Sequence, residues 1–444
     1  MANLSVNFAG IKAPNPFWLA SGPPSNSAYQ VMKAFDMGWG GAVWKTMGIP
    51  AVNVSGRYGV VNYRKARMVG MNNIELISDR KLTDNLRDIE MVKKYFPAHA
   101  VVASIMVQSR AEWHQIVKDV ENAGADGIEL NFGCPHGMCE RGMGSAVGQE
   151  PKLIEKLTGW VMEVAKVPVI VKLTPNITDI TEPGKAARRG GVNAIALINT
   201  IQSIVGVDID SFIPYPLVGT LSTNGGYSGP AVKPIALNMI KNCALDYEID
   251  LPISGMGGIE TWKDAVEFML LGAGTVQVCT AVMHYGFGIV KKMIAGLELY
   301  MDEKGFKSID EIVGKALPNV SSWENLDLNY QTVASINREK CTGCRLCYVA
   351  CEDGAYQAIA LSENPDDRIP LILNDRCVGC NLCSLVCPVE NCITMIKTVN
   401  SLPKETWKQR VDAGLVPSSF DDVLAGGQKH PSVNPLNALK RDGI

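Results

Sequence analysis

Between residues 16 and 280, short apolar runs alternate with stretches whose apolar positions recur at helical spacing. The runs are PFWLAS (16–21), GAVWKT (41–46), AVVASIM (100–106), GIELNF (127–132), VPVIVKLT (167–174), NAIALINT (193–200), LPISGMGG (251–258) and TVQVCT (275–280). Helical patterns separate them, among them 110–123, 152–165 and 261–271. Strands buried on both faces read as continuous apolar runs, and strand–helix alternation predicts parallel βα units. Eight units suit a TIM (β/α)8 barrel, which takes about 250 residues plus insertions. A doubly wound open sheet is the competing arrangement. The barrel is favoured because polar residues recur where most of the strands end: Ser21, Lys45, Asn131, Lys172, Asn199 and Thr280.

The pattern divides the chain into a barrel over 1–305, a linker over 306–335, a cysteine-rich module over 336–398 and a polar tail over 399–444. The tail, with scattered Pro and Gly and no period, is expected to lie over a surface or a partner. The uncharged stretch 268–283 is shorter than the ~18–20 residues of a spanning helix. It reads as a helix end followed by a buried strand.

Composition narrows the picture. The 444 residues are 47% hydrophobic and 20% charged, as in ordinary globular proteins. A net charge of −3 gives no basic footprint for nucleic acid. Thirteen cysteines behind an N-terminal stretch (MANLSVNFAG) that lacks a secretory pattern point to metal or redox chemistry in the cytoplasm.

Eight of those cysteines form two C-x2-C-x2-C-x3-C runs, CTGCRLCYVAC and CVGCNLCSLVCP. This is the spacing of two-cluster ferredoxins, in which the fourth cysteine ligates the other cluster. Cys341, Cys344, Cys347 and Cys387 are thus expected to hold one [4Fe–4S] cluster, and Cys377, Cys380, Cys383 and Cys351 the second. Paired structural zinc sites are the alternative, but zinc modules separate two ligand pairs by a longer spacer. Cys392, Cys243, Cys279 and Cys139 read as small core residues.

Clusters move single electrons, so the barrel needs a group that converts them to two-electron chemistry, and a flavin does this. TIM barrels commonly bind phosphate in the loops after strands seven and eight. Here Gly257, Gly258 and Thr280 can cradle the phosphate of FMN. Neither GMGGIE nor GAGTVQ completes a dinucleotide fingerprint, so no nicotinamide site is expected in this chain. Lys45 and Lys172, each at a strand end, suit the flavin N1–O2 edge, although rim lysines also snorkel. Asn73, Asn131, Asn199 and the adjoining Thr200 offer the donor–acceptor pairs that match a cyclic imide such as uracil. A lone asparagine, by contrast, is usually a turn former.

Through NPFWLASGPPSNS, GWGGAVWKTMG, NNIELIS, ELNFGCPHGM, KLTPNITDI, GGYSGPAVKPIAL, GMGGIETW and both cysteine runs, the chain resembles the pyrimidine-reducing part of dihydropyrimidine dehydrogenases. It looks most like the bacterial FMN-containing subunit of the NAD-dependent type. The resemblance implies FMN held by Ala20, Ser21, Lys45, Thr46, Asn131, Lys172, Ser228, Gly229, Gly257, Gly258 and Thr280. It implies uracil or thymine held by Asn73, Asn131, Asn199 and Thr200, with Cys134 as general acid. Electrons would come from NAD(P)H through FAD on an iron–sulfur partner subunit in a heterotetramer. Gly133 departs from the family, which usually carries serine there. Gly133, Gly137, Gly142, Gly144 and Gly148 are expected to let the segment after Cys134 close over substrate, with His136 shaping it. Two other readings compete: a dihydroorotate dehydrogenase-like oxidation, and an electron-transfer subunit with a silent barrel.

Overall fold

The computed structural model describes residues 2–135, 142–364, 366–398 and 405–416. His136, Gly137 and Cys139, and most of the expected tail, lie outside the described residues. The chain divides into two compact units, 1–319 and 320–444.

The first unit opens with an antiparallel hairpin, β1 (Val6–Phe8) and β2 (Ile11–Ala13), followed by β3 (Phe17–Leu19) and β4 (Gly41–Met47). Two strands then leave the apolar pattern, β5 (Tyr58–Tyr63) and β6 (Ala66–Asn73). The series resumes with β7 (Ala100–Ile105), β8 (Gly127–Asn131), β9 (Val169–Lys172) and β10 (Ala194–Leu197). After β11 (Ile201–Ser203) and β12 (Gly225–Ser228) come β13 (Ile253–Met256) and β14 (Ala273–Val278). All eight apolar runs become strands of one closed parallel barrel, in the order β3–β4–β7–β8–β9–β10–β13–β14. The barrel strands are buried almost throughout, which is why their sequences lack alternation. The helices around them pair an apolar face with local caps. Helix Arg110–Asn122 buries Trp113, Ile116, Val117 and Val120, and Ser109 and Glu112 form its capping box. Helix Trp262–Leu270 followed by β14 accounts for the uncharged stretch 268–283.

The hairpin closes the N-terminal end of the barrel. Phe8 packs edge-on against Trp18 at 5.7 Å. Ile11 comes so close to Gly127 that a Cβ there would lie 2.5 Å from its side chain. At the opposite end, β11, β12, β6 and β5 form a four-stranded antiparallel sheet that the sequence pattern did not reveal. Its register sets Gly226 beside Asn73 and Ser228 beside Met71, which brings β6 and β12 to the barrel mouth.

The second unit is a small duplicated fold. β15 (Thr332–Ile336) pairs antiparallel with β18 (Ile393–Lys397), and β16 (Ile359–Ala360) with β17 (Leu371–Ile372). Each cysteine run turns through a left-handed glycine and a left-handed polar residue, Gly343 and Arg345 in the first, Gly379 and Asn381 in the second. A helix follows each turn, Leu346–Gly354 and Leu382–Leu385.

The segment 306–335 is shared between the units. Ile309 and Ile312 are buried in the barrel core, and Asn3 N–H donates to the Lys307 carbonyl at 3.0 Å. Residues 332–336 are already β15. The charged surroundings of the two isoleucines hide their periodicity in the sequence. Residues 405–416 return to the start of the second unit: Asn329 Nδ2 donates to the Glu405 carbonyl at 2.8 Å, and Asp327 bridges Thr406.

Candidate active site and cysteine centres

Because all barrel strands run the same way, their C-terminal residues meet at one rim. Register places Asn131 beside Lys172, and Leu19 beside Val278. The rim, with β6 and β12 above it, surrounds a cavity.

Every expected residue of the barrel site lines this cavity: Ala20, Ser21, Lys45, Thr46, Asn73, Asn131, Cys134, Lys172, Asn199, Thr200, Ser228, Gly229, Gly257, Gly258 and Thr280. A polar network fixes many of them. Thr46 Oγ1 lies 3.1 Å from Ser21 Oγ and 3.0 Å from Ser104 Oγ, and accepts from Asn131 Nδ2 at 2.8 Å. Asn131 Oδ1 accepts from Asn199 Nδ2 at 3.0 Å and from Gly133 N–H at 3.2 Å. Asn199 Oδ1 in turn accepts from Thr200 N–H at 2.8 Å. Two of the asparagines therefore act as one unit, although β8 and β10 are not neighbours in the barrel.

The close contact of Asn131 and Asn199 depends on Gly133. A Cβ at this position would lie 2.4 Å from Asn199 Nδ2, so the asparagine carboxamide occupies space a side chain would need. On the other side of the cavity, Thr280 Oγ1 donates to Ser228 Oγ at 2.9 Å, and Ser228 Oγ to the Met71 carbonyl. Gly229 and Gly258 face each other with φ of 96° and 78°, and a Cβ on Gly258 would lie 2.8 Å from the Gly229 carbonyl oxygen. Gly229, Gly257 and Gly258 line the cavity beside the Ser228 and Thr280 hydroxyls, a donor set whose chemistry suits the phosphate of FMN.

Cys134 sits at the end of β8, buried among Ala51, Ile77, Met106 and Met143. Its carbonyl accepts from Ser145 N–H at 2.9 Å. Of the glycines expected to confer mobility, Gly148 has another role: a Cβ there would lie 2.0 Å from the Phe132 carbonyl oxygen. It lets the short helix Ser145–Gly148 pack directly under the cysteine segment.

Both lysines are only 4% exposed and both have acidic partners. Lys45 bonds Glu75, which also receives Tyr58 Oη and lies 3.4 Å from Arg57. Lys172 faces Glu129 at 3.8 Å. Sequence reasoning missed Glu75, Glu129 and Gln277, although a polar residue inside the runs GIELNF and TVQVCT was a signal. It also missed Tyr227, whose strand has no apolar run. Cys279 needs correcting, because it lines the cavity and is not a core filler. Burial pushes its thiol up to about 11, against the pull of Lys172 and Lys45. Cys243 is buried as expected, its thiol 3.9 Å from the Ile180 carbonyl.

In the second unit, a small cavity is lined by Cys351 together with Cys377, Cys380 and Cys383. Ala334 N–H and Ala358 N–H donate to the sulfurs of Cys377 and Cys351 at 3.4 and 3.3 Å. Such donors suit thiolates that share charge with a cluster. Burial pushes the Cys392 thiol up to about 11, with the Cys387 and Cys341 thiols adding to the rise. That draws one cysteine of each run to the same place. The sequence reading of Cys392 as a core residue is incomplete, because it is buried beside this second group. Among the described residues no helix is long and apolar enough to cross a membrane.

Comparison with known proteins agrees with this layout. Residues 3–301 match the family model for dihydroorotate dehydrogenase, and residues 334–395 match that for a 4Fe-4S dicluster domain. The chain is 45% identical over 395 residues to the NAD-dependent dihydropyrimidine dehydrogenase subunit PreA of Escherichia coli, covering 88% of this chain and 95% of that one. It is 46% identical over 329 residues to the chloroplastic dihydropyrimidine dehydrogenase (NADP(+)) of Arabidopsis thaliana, covering 71% and 77%. The catalytic subunit of dihydroorotate dehydrogenase B (NAD(+)) from Thermococcus kodakarensis is 36% identical over 325 residues, covering 71% of this chain and 99% of that one.

Proposed function

Given that the chain belongs to the dihydropyrimidine dehydrogenase subunits, with a barrel of the dihydroorotate dehydrogenase family, we propose that it reversibly reduces the 5,6 double bond of uracil and thymine. The observation that carries this reading is the convergence of Cys134 with Asn73, Asn131, Asn199 and Thr200 in one cavity. Three carboxamides and a hydroxyl match the alternating N–H and C=O edge of a pyrimidine dione. Such a ring offers no charge for a cation to grip, which suits a site where Lys45 is engaged by Glu75.

FMN, when bound, supplies the hydride that goes to C6 of the ring. Lys45 and Lys172 would hold its N1–O2 edge, while Ser228, Gly229, Gly257, Gly258 and Thr280 would hold its phosphate. Ala20, Ser21, Thr46 and Asn131 complete the floor. Hydride addition beside a conjugated carbonyl builds negative charge at C5, which must be protonated. Cys134 provides that proton, since an ordinary thiol with a pKa near ~8.5 is protonated at neutral pH yet acidic enough to release it. In the reverse direction the same sulfur takes the proton back.

Cys341, Cys344, Cys347 and Cys387 hold one [4Fe–4S] cluster, and Cys377, Cys380, Cys383 and Cys351 the other. The electrons come from NAD(P)H by way of an FAD- and iron–sulfur-containing partner subunit, in a cytoplasmic heterotetramer. The PreA relative is itself named as a subunit, which supports a partner.

The test is single-turnover oxidation of the prereduced, anaerobic protein by uracil, thymine and orotate. Uracil and thymine are expected to react, and orotate is not. A positioned general acid contributes ~10²–10⁴ in rate, so Cys134→Ala is expected to slow turnover by that factor while keeping flavin, iron and pyrimidine binding. Wild-type rates in Cys134→Ala would remove the cysteine from the reaction, and preferential oxidation by orotate would overturn the substrate.

A further inference from the structure

Glu129 lies in the middle of an apolar strand and is 0% exposed. It does not line the cavity, but two of its partners do. Its Oε1 accepts from Ser104 Oγ at 3.2 Å and faces Lys172 Nζ at 3.8 Å. Its Oε2 accepts from Gln277 Nε2 at 3.4 Å, and that amide also reaches Ser254 Oγ at 3.1 Å. Ser104 continues the chain to Thr46 on the other side. A line of polar groups thus crosses the barrel interior behind the cavity floor, with one carboxylate at its centre.

A buried carboxylate is neutralised or paired with a cation, because two neutral hydrogen bonds do not replace its hydration. Among the described residues, Lys172 is the cation paired with it. The separation of 3.8 Å is an ion pair without a tight hydrogen bond, so the ammonium keeps donors free for a group on its cavity side. Lys45 is held differently, since Glu75 lines the cavity itself and is shared with Arg57 and Tyr58.

We propose that Glu129 is a positioning residue that fixes the place and net charge of the Lys172 ammonium and, through it, sets the reduction potential of the flavin. This rests on the reading that FMN occupies the barrel mouth with its N1–O2 edge at Lys172. Reduction adds negative charge at that edge, so an unopposed ammonium favours the reduced form. Glu129 offsets part of that pull and keeps the flavin a better donor to the pyrimidine.

The experiment is an anaerobic potentiometric titration of the full chain, following the flavin band, with the iron–sulfur signals read by low-temperature EPR as an internal reference. Glu129→Gln keeps the shape and removes the charge, while turning one of the two acceptor oxygens into a donor. It is expected to move the two-electron flavin equilibrium toward the reduced form about tenfold, or about 30 mV. Lys172→Met is expected to move it the other way. In the Lys172→Met background the effect of Glu129→Gln should collapse, because the path through the lysine is gone. An unchanged potential in Glu129→Gln overturns the proposal, and so does a shift that persists undiminished without Lys172. Glu129→Asp, which keeps the charge but draws it back, should give a smaller upward shift and serves if the Gln variant does not fold. A wild-type potential in Glu129→Asp then counts against the proposal. Failure of the underlying reading looks different: wild-type protein without FMN, or a potential indifferent to Lys172→Met.

Discussion

In the barrel, the residues around the cavity come from the whole length between Ala20 and Thr280, and a parallel sheet of eight strands brings them together. In the cysteine unit, most of each proposed ligand set lies within one short run, which turns through the left-handed pairs Gly343/Arg345 and Gly379/Asn381. The barrel has a large apolar core that is independent of its site. The second unit has a small one, in which Cys347, Cys351, Cys383 and Cys392 are half of the buried members. One site is mounted on a fold. The other site is much of the fold.

This contrast breaks most visibly when iron is removed. Small domains whose core is metal-bound lose their structure without the metal. Chelation under reducing conditions is expected to bring the amides of 332–397 to full hydrogen exchange while β3 to β14 stay protected. Equal protection of the two units after iron loss would mean that the cysteine unit folds on its own core.

A smaller effect, confined to the barrel, is expected from Gly148→Ala. The new Cβ would press on the Phe132 carbonyl at 2.0 Å and displace the segment that carries Cys134. Overpacking of this kind costs about 1–3 kcal/mol. A displacement near ~1 Å at a reacting group can cost roughly 10² in rate, so kcat/KM should fall by about that factor in protein that is still folded. Iron content should not change. A variant with the wild-type rate would show that the short helix does not support the cysteine.

The mildest change is Gly133→Ser, which forces the Asn199 carboxamide away from its present position. FMN content is expected to stay level while KM for uracil and thymine changes several-fold and unequally. Steady-state kinetics with both bases reads this directly, and unchanged KM values for both would exclude Asn199 from substrate contact.

What was legible in the sequence follows the same division. The eight barrel strands announce themselves because they are apolar on both faces, and the cysteine runs because their chemistry depends on local spacing alone. The sheet over the mouth was not legible: β5 is half exposed, with Tyr58, Val60 and Tyr63 open to solvent, so its alternation is faint. Asn73 was named with Asn131 and Asn199 as a match for a cyclic imide, without its strand β6 being recognised. Glu129 and Gln277 were read as parts of strands because each sits inside an apolar run and not at its end, where the rim residues were sought. Ile309 and Ile312 pack on the barrel from a segment that charge made look like a linker.

The proposed exchange of cysteines between the two runs has a consequence for the order of synthesis. Cys351 emerges long before Cys377, Cys380 and Cys383, with which it shares a cavity. Cys341, Cys344 and Cys347 must wait longer still, until Cys387 has been made. A growing chain therefore passes through a stage with the first run exposed and neither set of four complete. By then the barrel is fully synthesised, so under the proposed ligation neither cluster can be completed before all eight barrel strands exist.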